Sequence, residues 1–340
     1  MIRAGATMEK GVQRWLVDIS KWEPSPRVFS FALSLLPQHE HPSVLRFVRM
    51  EDRKRTLVSR LLQYGLVCEL LGIPFEQVTI ERTSEGKPYL EYGCGELREF
   101  PNFNFNTSHH GDYVLIASEP LCLVGLDIVS YKPPQKETIV EFIQNFTSYF
   151  SSSEWNSIMS ADTSNEVLVE FYRYWCLKEA FVKAIGSGVA FDLRRLDFHH
   201  TNWKNIYVKI DGVILEDWKF WLQELGTSHC VAIARGHPRL STESYKRTLK
   251  AFEFNEGDYL AGLNLPNTSF VLKTVEELVS ILESSKSSTS PMEDELNLAM
   301  KVTVTESRAQ AQPPTQEVQQ TRPAMEVQIL TLTTIFADKD

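Results

Sequence analysis

Residues 171–188 constrain the fold of this chain most, because they combine the spacing of a buried helix with charges on a second helical face. The apolar stripe recurs at helical spacing and consists of Phe171, Tyr174, Phe181 and Ile185. Trp175, Glu179 and Lys183 lie four residues apart, so they share another face. Gly186 predicts the end of the helix. Taken alone, Glu179 and Lys183 indicate a surface ion pair worth about 0.2–0.5 kcal/mol.

Upstream segments supply a second acid and further polar groups. Residues 125–129, GLDIV, predict a buried strand that carries Asp127, and a lone carboxylate there is costly unless it is paired, capped or bound to a metal. Residues 106–112, NTSHHGD, predict a polar loop that can bind an anion, and residues 82–88, RTSEGKP, predict a basic turn. Each segment has an ordinary explanation by itself. Together they supply two oxygen ligands for a hard cation and several donors for phosphate groups.

At these segments the chain resembles the 4'-phosphopantetheinyl transferases of the Sfp type. The matching elements are RTSEGKP (82–88), FNFNTSHHGDYV (103–114), VGLDIV (124–129) and FYRYWCLKEAFVKAIGSG (171–188), in matching order and spacing. The W-x-x-K-E-x-x-x-K pattern is specific when it accompanies G-x-D. The chain is most similar to the eukaryotic branch that serves aminoadipate-semialdehyde dehydrogenase, and the resemblance fades near Pro238.

The resemblance implies an α+β fold with two similar halves related by a pseudo-twofold and the active site in the cleft between them. Residues 1–122 are expected to form the N-terminal half and residues 123–240 the C-terminal half. The implied reaction moves the 4'-phosphopantetheine arm of coenzyme A onto a serine of an apo acyl or peptidyl carrier protein or carrier domain. The products are the holo carrier protein and adenosine 3',5'-bisphosphate.

This reaction gives the residues expected roles. Asp127 and Glu179 are expected to bind Mg2+, which bridges the pyrophosphate oxygens, and Glu179 is also expected to accept the serine proton. Lys183 is expected to contact a phosphate oxygen and to stabilise the leaving group. The resemblance also implies that coenzyme A is bound by Arg55, Arg82, Lys87, Asn106, Ser108, His109 and Lys183.

Two departures from the family pattern leave alternatives open. Many bacterial relatives carry a second acid where this chain has Val129, on the same strand face as Asp127. The eukaryotic branch also lacks that acid and has a Gln where this chain has His110. Water or His110 can complete the metal shell, and imidazole suits Mn2+ better than Mg2+. The remaining alternatives are a catalytically weakened homologue that binds coenzyme A or carrier protein, and a metal-dependent phosphodiesterase, which usually needs more His and Asp ligands.

Composition and charge argue against several other classes. The net charge of −9 provides no overall basic surface for nucleic acid. No apolar run approaches the roughly 18 residues of a membrane helix, and residues 1–15 lack the apolar core of a secretory signal. The five cysteines are scattered and form no CxxC, which favours a reducing compartment. We therefore expect a cytoplasmic monomer, with a short organelle-targeting signal left open.

The amino-acid composition of the chain changes after about residue 240. Tryptophan is confined to the part before that point, and residues 284–291 and 310–320 are low in complexity. We therefore expect residues 241–340 to be a mostly disordered tail, although residues 274–282 have the pattern of a short helix. On this view, a chain that ends near residue 245 stays soluble and active.

Two further expectations concern the ordered part. Residues 44–71 have the pattern of one long helix. Residues 113–117 and 123–129 have the pattern of two strands, and the short polar link between them predicts that they pair with each other.

Overall fold

The computed structural model describes residues 8–91, 100–249 and 256–286, and it combines helices with mostly antiparallel sheets. The helices are α1 (Pro26–Ser34), α2 (His41–Leu45), α3 (Met50–Leu71), α4 (Ile139–Gln144), α5 (Ser152–Met159), α6 (Ser164–Ile185), α7 (Glu243–Lys246), α8 (Glu256–Leu263) and α9 (Val275–Ser284). The strands are β1 (Gln13–Asp18), β2 (Thr79–Arg82), β3 (Pro88–Glu91), β4 (Asn104–His110), β5 (Tyr113–Glu119), β6 (Leu123–Ser130), β7 (Leu196–Thr201), β8 (Lys204–Ile210), β9 (Val213–Ile214), β10 (Trp218–Leu225), β11 (His229–Gly236) and β12 (Val271–Leu272). The α+β class is confirmed. Across the described ranges, the helices lack the combination of length and apolar character that a bilayer crossing requires.

The N-terminal half packs helix α3 against a four-stranded sheet of order β12-β1-β5-β4. The helix is 22 residues long and ends at Gly72, whose φ of 64° is left-handed. The expected single helix over residues 44–71 is wrong, because α2 and α3 are separated by residues 46–49. Arg53 stabilises this break, since its guanidinium donates to the carbonyl groups of Phe47 and Leu45.

The C-terminal half repeats this arrangement, with the 22-residue helix α6 packed against a three-stranded sheet of order β10-β11-β6. Thr163 and Glu166 form a capping box at the start of α6. Gly186 has a φ of 73° and ends the helix, so the predicted end is confirmed. A separate apolar layer contributed by β1, β5, β6 and β11 lies between the two sheets.

The expected pairing of the strands now named β5 and β6 is wrong. β5 pairs with β1 and β4, whereas β6 pairs with β11 in the other sheet. The chain changes sheets directly after Glu119, whose carboxylate is fully buried between Arg14 on β1 and Arg235 on β11. Nη2 of Arg235 lies 2.8 Å from Oε1 of Glu119, and Arg14 donates to the same oxygen. This buried charge cluster joins strands of both halves.

Side chains of β4 connect the two sheets along their facing edges. The acceptors are Asn104 Oδ1, Asn106 Oδ1, Ser108 Oγ and His110 Nδ1, and the donors, 2.9–3.3 Å away, are the backbone N–H groups of Val124, Leu126, Ile128 and Ser130 on β6. We call this arrangement the side-chain ladder. The expected loop at residues 106–112 is therefore mostly strand. Phe105, which lies between Asn104 and Asn106, is buried in the N-terminal core on the opposite face of the strand, together with Phe103 just before it.

Helix α6 approaches β6 unusually closely at Gly125. A Cβ atom added there would lie 1.8 Å from the carbonyl oxygen of Ala180 and 2.5 Å from the backbone nitrogen of Ala184. Any residue larger than glycine would therefore push the helix away from the strand. This contact brings the middle of α6 against the strand that carries Asp127.

The expectation of a disordered tail after residue 240 is wrong for the described residues 241–249 and 256–286; residues 287–340 lie outside the description. Helix α9 packs against α3, with Leu278 and Leu282 fully buried in the N-terminal core. Strand β12 pairs in parallel with β1. A chain that ends near residue 245 would lack these core residues, so we expect it to lose stability rather than stay soluble and active.

Leu278→Ala tests this packing. We expect the free energy of unfolding to fall by about 2–5 kcal/mol, because the change leaves a cavity in a core that α9 closes. Leu260→Ala is the matched control, since Leu260 is 60% exposed, and it should change stability by about 0.5 kcal/mol or less. Urea unfolding measures both variants. Equal small effects would show that α9 does not belong to the folded core.

Candidate active site

A carboxylate, an ammonium group and a hydroxyl meet where β4, β6 and α6 come together. Asp127 Oδ1 lies 2.6 Å from Lys183 Nζ and accepts a 3.0 Å hydrogen bond from Ser108 Oγ. Lys183 Nζ also lies 3.0 Å from Ser108 Oγ. Each side chain comes from a different element, so the site forms only when the two halves pack together. Asp127 and Lys183 belong to the C-terminal half, and Ser108 belongs to the N-terminal half. Lys183 pairs with Asp127 on β6, which distinguishes it from a local surface pair on the helix.

Glu179 lies one helical turn before Lys183 and faces the same site. Burial and the neighbouring Asp127 carboxylate raise the pKa of Glu179 to about 7, although the positive charge of Lys183 opposes the shift. One ammonium group therefore compensates two acids incompletely. Two neighbouring carboxylates with one nearby ammonium group repel each other. Binding a cation or a proton relieves this repulsion.

The donor set around Asp127 and Glu179 suits a hard cation whose remaining ligands come from a substrate. Within the described ranges, no third His, Cys, Asp or Glu completes a metal-binding cluster with them. Val129 is buried in the apolar cluster of the C-terminal half. His110 uses Nδ1 to accept the N–H of Ser130, and burial together with the charge of His229 lowers its pKa to about 4. Mg2+ typically keeps one or two protein carboxylates and takes further oxygens from water and phosphate, which fits this pair.

Arg55 and His109 extend the site on its N-terminal side. Arg55 Nη1 donates to the carbonyl of Gly111 at 2.8 Å, while Nη2 pairs with Asp52 at 2.6 Å. Burial and the positive charges of Arg55 and Lys183 lower the pKa of His109 to about 3. Its buried Nδ1 has no hydrogen-bond partner in the part of the chain that the structure describes. A neutral imidazole beside two cations is a favourable neighbour for an anionic ligand.

Two residues expected to bind coenzyme A, Lys87 and Asn106, also have structural contacts. Lys87 Nζ donates to the carbonyl groups of Lys183, at 2.6 Å, and Val124, at 3.1 Å, and burial lowers its pKa to about 7. It thereby ties the β2–β3 hairpin to the end of α6. The Oδ1 atom of Asn106 accepts the N–H of Leu126 in the side-chain ladder. Both polar groups are buried and bonded to the main chain. Their expected contact with coenzyme A stays a prediction.

Arg82 is not brought to the acid pair by any contact within the described ranges. It is exposed at the end of β2 and donates to the carbonyl of Gly86 at 3.3 Å. Its charged neighbours include Arg60 and Glu40, which pair with each other at 2.7 Å. The expected contact of Arg82 with coenzyme A stays a prediction.

Sequence reasoning missed the role of Lys178, which directly precedes Glu179. Lys178 is fully buried, pairs with Glu154 at 2.8 Å and donates to the carbonyl groups of Leu193 and Leu196. Adjacent residues in a helix point about 100° apart, so Lys178 and Glu179 cannot serve the same site. Because Lys178 lies off the helical face shared by Glu179 and Lys183, the sequence already indicated that it serves another purpose. In the structure it holds α6 to Glu154 and to residues 193 and 196.

Comparisons with known proteins identify two family segments in the chain. Residues 20–121 match the family model described as 4'-phosphopantetheinyl transferase, N-terminal, and residues 123–234 match the 4'-phosphopantetheinyl transferase superfamily. The solved holo-[acyl-carrier-protein] synthase of Thermotoga maritima matches 34% of this chain and 64% of its own, with 18% identity and a TM-score of 0.25.

Curated relatives cover most of the same region. The L-aminoadipate-semialdehyde dehydrogenase-phosphopantetheinyl transferase of Rattus norvegicus is 36% identical over 233 residues, which are 66% of this chain and 75% of the relative. A phosphopantetheinyl transferase of Thraustochytrium is 34% identical over 66% of this chain and 79% of its own length. With two matching family models and relatives aligned over three quarters of their length, the chain belongs to the 4'-phosphopantetheinyl transferase family.

Proposed function

We propose that this chain transfers the 4'-phosphopantetheine arm of coenzyme A to a serine of an apo carrier protein or carrier domain, with Asp127 and Glu179 as ligands of Mg2+. The observation that carries the proposal is the meeting of Asp127, Lys183 and Ser108 beside a half-buried Glu179 of raised pKa. In this reaction the serine oxygen bonds to the β-phosphorus of coenzyme A. The phosphorus–oxygen bond to adenosine 3',5'-bisphosphate breaks, and the serine proton passes to a base.

Glu179 is the proposed base. A carboxyl group with a pKa of about 7 is near the pH at which a general base combines sufficient ionisation with sufficient proton affinity. Burial and Asp127 raise the pKa of Glu179, whereas a bound cation would favour its ionised form. When a cation is bound, the pKa of Glu179 therefore depends on how closely the cation approaches Glu179 and how closely it approaches Asp127.

Lys183 and His109 are the proposed contacts for the phosphate groups. Lys183 Nζ already lies against Asp127 and Ser108, so it can move to a phosphate oxygen while keeping one of these partners. The unpaired Nδ1 of His109 supplies a further polar group close to Arg55. Mg2+, held by Asp127 and Glu179, would neutralise the charge of the pyrophosphate. Mn2+ remains an alternative metal.

Asp127→Asn and Glu179→Gln test the assignment with nearly isosteric changes. We expect each to lower the transfer rate by at least about 100-fold, because each removes a negative charge that the chemistry requires. Mass spectrometry of an apo acyl carrier protein reads the added arm, and thermal melting verifies folding. Glu216→Gln, at an exposed acid, should retain full activity. Near-normal transfer by either site variant would contradict the assignment, and coenzyme A binding without transfer by the wild-type chain would favour a weakened homologue.

Glu179→Gln should also change how stability depends on pH in metal-free protein. The folded pKa of about 7 lies above the ordinary 4.5, so the folded state binds more protons between these values and loses stability as the pH rises through them. Relative to the variant, the wild-type chain should lose about 1–3 kcal/mol over this window. Urea unfolding with a chelator measures the difference.

The comparison with the variant is needed because the lowered pKa values of His109 and His110 act in the opposite direction in both proteins. Glu216→Gln should reproduce the wild-type dependence. A constant difference between wild type and Glu179→Gln across this pH range would show that the Glu179 carboxyl is not perturbed.

Metal binding should be coupled to coenzyme A binding. With two protein carboxylates, Mg2+ alone should bind weakly, and saturating coenzyme A should tighten its binding by about tenfold or more, because the pyrophosphate supplies further oxygens. Isothermal titration with and without coenzyme A measures this coupling. Equal affinities would rule out a metal shell shared between protein and substrate.

A further inference from the structure

A cavity of about 510 Å³ lies at one end of the C-terminal sheet, between the link from β9 to β10, the residues after β11 and helix α8. Its volume falls within the range of small-molecule sites, about 300–1,000 Å³. Cys122, which lines it, directly precedes β6, and Asp127 lies roughly 16 Å farther along that strand at about 3.3 Å per residue. The cavity, which we call the α8 cavity, is therefore separate from the candidate active site.

The rim of the α8 cavity carries more negative than positive charge. Glu216, Asp217 and Glu256 line it, and Arg239 is the one Lys or Arg among the described residues that do so. Arg239 lies 3.5 Å from a carboxylate oxygen of Asp217 and of Glu256, which is longer than the roughly 2.7–2.9 Å of a charge-assisted hydrogen bond. Within the described part of the chain, Glu216 has neither an ion-pair nor a hydrogen-bond partner. Three carboxylates and one guanidinium leave two negative charges, which attract a cationic group.

Apolar side chains form the rest of the wall. Leu263 and Tyr259 are buried, whereas Ile214 is 49% exposed and Leu260 is 60% exposed. A ligand with an apolar body would remove the surface of Ile214 and Leu260 from water, which is favourable in proportion to the area covered. A bare metal ion or a small inorganic cation would leave that surface exposed. The wall therefore favours a cation that is attached to an apolar group.

His237 supplies a hydrogen-bond donor to the α8 cavity. Its side chain lines the cavity, is only 8% exposed, and lies with its ring centre 3.7 Å from that of Tyr259. Nδ1 accepts the backbone N–H of Arg239 at 3.1 Å, and burial lowers the pKa of His237, so the neutral ring carries its proton on Nε2. Among residues 8–91, 100–249 and 256–286, nothing accepts a hydrogen bond from this Nε2. The buried ring thus holds an unused donor for an oxygen atom of a ligand.

We propose that the α8 cavity binds a small organic amine that has an apolar body and an oxygen acceptor. The ammonium group faces the carboxylates of Glu216 and Glu256. The apolar body packs on Ile214 and Leu260, and the oxygen atom accepts the Nε2–H of His237. None of these residues belongs to the candidate active site, so this binding site goes beyond the proposed transfer reaction and does not depend on it.

Tyramine is a suitable probe, because it combines a primary ammonium group, an aromatic ring and a phenol oxygen. Ligand-observed NMR at low ionic strength should give a Kd of about 1 mM or lower for the full-length chain. Tyrosol keeps the ring and the phenol but has an alcohol in place of the ammonium group, so it should bind at least about tenfold more weakly. Phenethylamine lacks the phenol oxygen and should bind about threefold more weakly than tyramine.

Two variants connect these preferences to the cavity. Glu216→Gln/Glu256→Gln, at two exposed acids, should weaken tyramine binding at least about tenfold and leave tyrosol binding within about twofold. The matched control is Glu276→Gln/Glu283→Gln, which removes two exposed acids from α9 and should bind tyramine as wild type does. His237→Phe should lower the affinity for tyramine to that for phenethylamine without changing the latter. Thermal melting verifies that each variant is folded.

Several results would overturn the proposal. These are a lack of tyramine binding, equal binding of tyramine and tyrosol, and an unchanged tyramine affinity in Glu216→Gln/Glu256→Gln. Competition between coenzyme A and tyramine would also overturn it, because the cavity would then belong to the coenzyme A site. All of these experiments measure binding without a carrier protein, so a failure of the proposed transfer reaction would leave their outcome unaffected.

Discussion

The side-chain ladder between β4 and β6 is the interaction on which the site depends. β4 is the edge of the N-terminal sheet and β6 is the edge of the C-terminal sheet, and an edge strand normally leaves backbone N–H groups without partners. Here polar side chains of β4 accept hydrogen bonds from the backbone N–H groups of β6 at every second residue. The contact fixes the register of one half against the other. It also sets Ser108 opposite Asp127, because Ser108 Oγ serves both the ladder and the carboxylate.

A second constraint orients α6 over that strand. Gly125 permits the close approach of the helix, and the buried pair of Lys178 with Glu154 fixes its rotation. Once the rotation is fixed, Glu179 and Lys183 face β6, since they lie one turn apart on the adjoining face. The raised pKa of Glu179 follows from this geometry, because the helix places its partly desolvated carboxyl group near the Asp127 carboxylate. Packing and reactivity thus have a common origin.

Much of the fold and part of the site could be predicted from local patterns. The end of α6 at Gly186 and the convergence of Asp127, Lys183 and Ser108 lie in segments whose spacing is characteristic of the family. The pairing of β5 with β6 could not be judged locally, because the change of sheet depends on Glu119 meeting an arginine more than one hundred residues away. The ordered segment after residue 240 was missed because its apolar residues gain their stability from α3, which composition alone does not reveal.

The buried charge cluster has a consequence for the order in which the chain can finish folding. Arg235 donates to the carbonyl groups of Leu263 and Leu265, and Arg14 donates to Asn267. Strand β12, which follows, completes the sheet beside β1. A ribosome therefore makes the first strand long before the segment that covers it exists. During synthesis, the N-terminal half therefore has an open sheet edge beside β1, and Arg14 lacks both Arg235 and Asn267 until those residues are made. Exposed strand edges of this kind favour aggregation and the binding of chaperones.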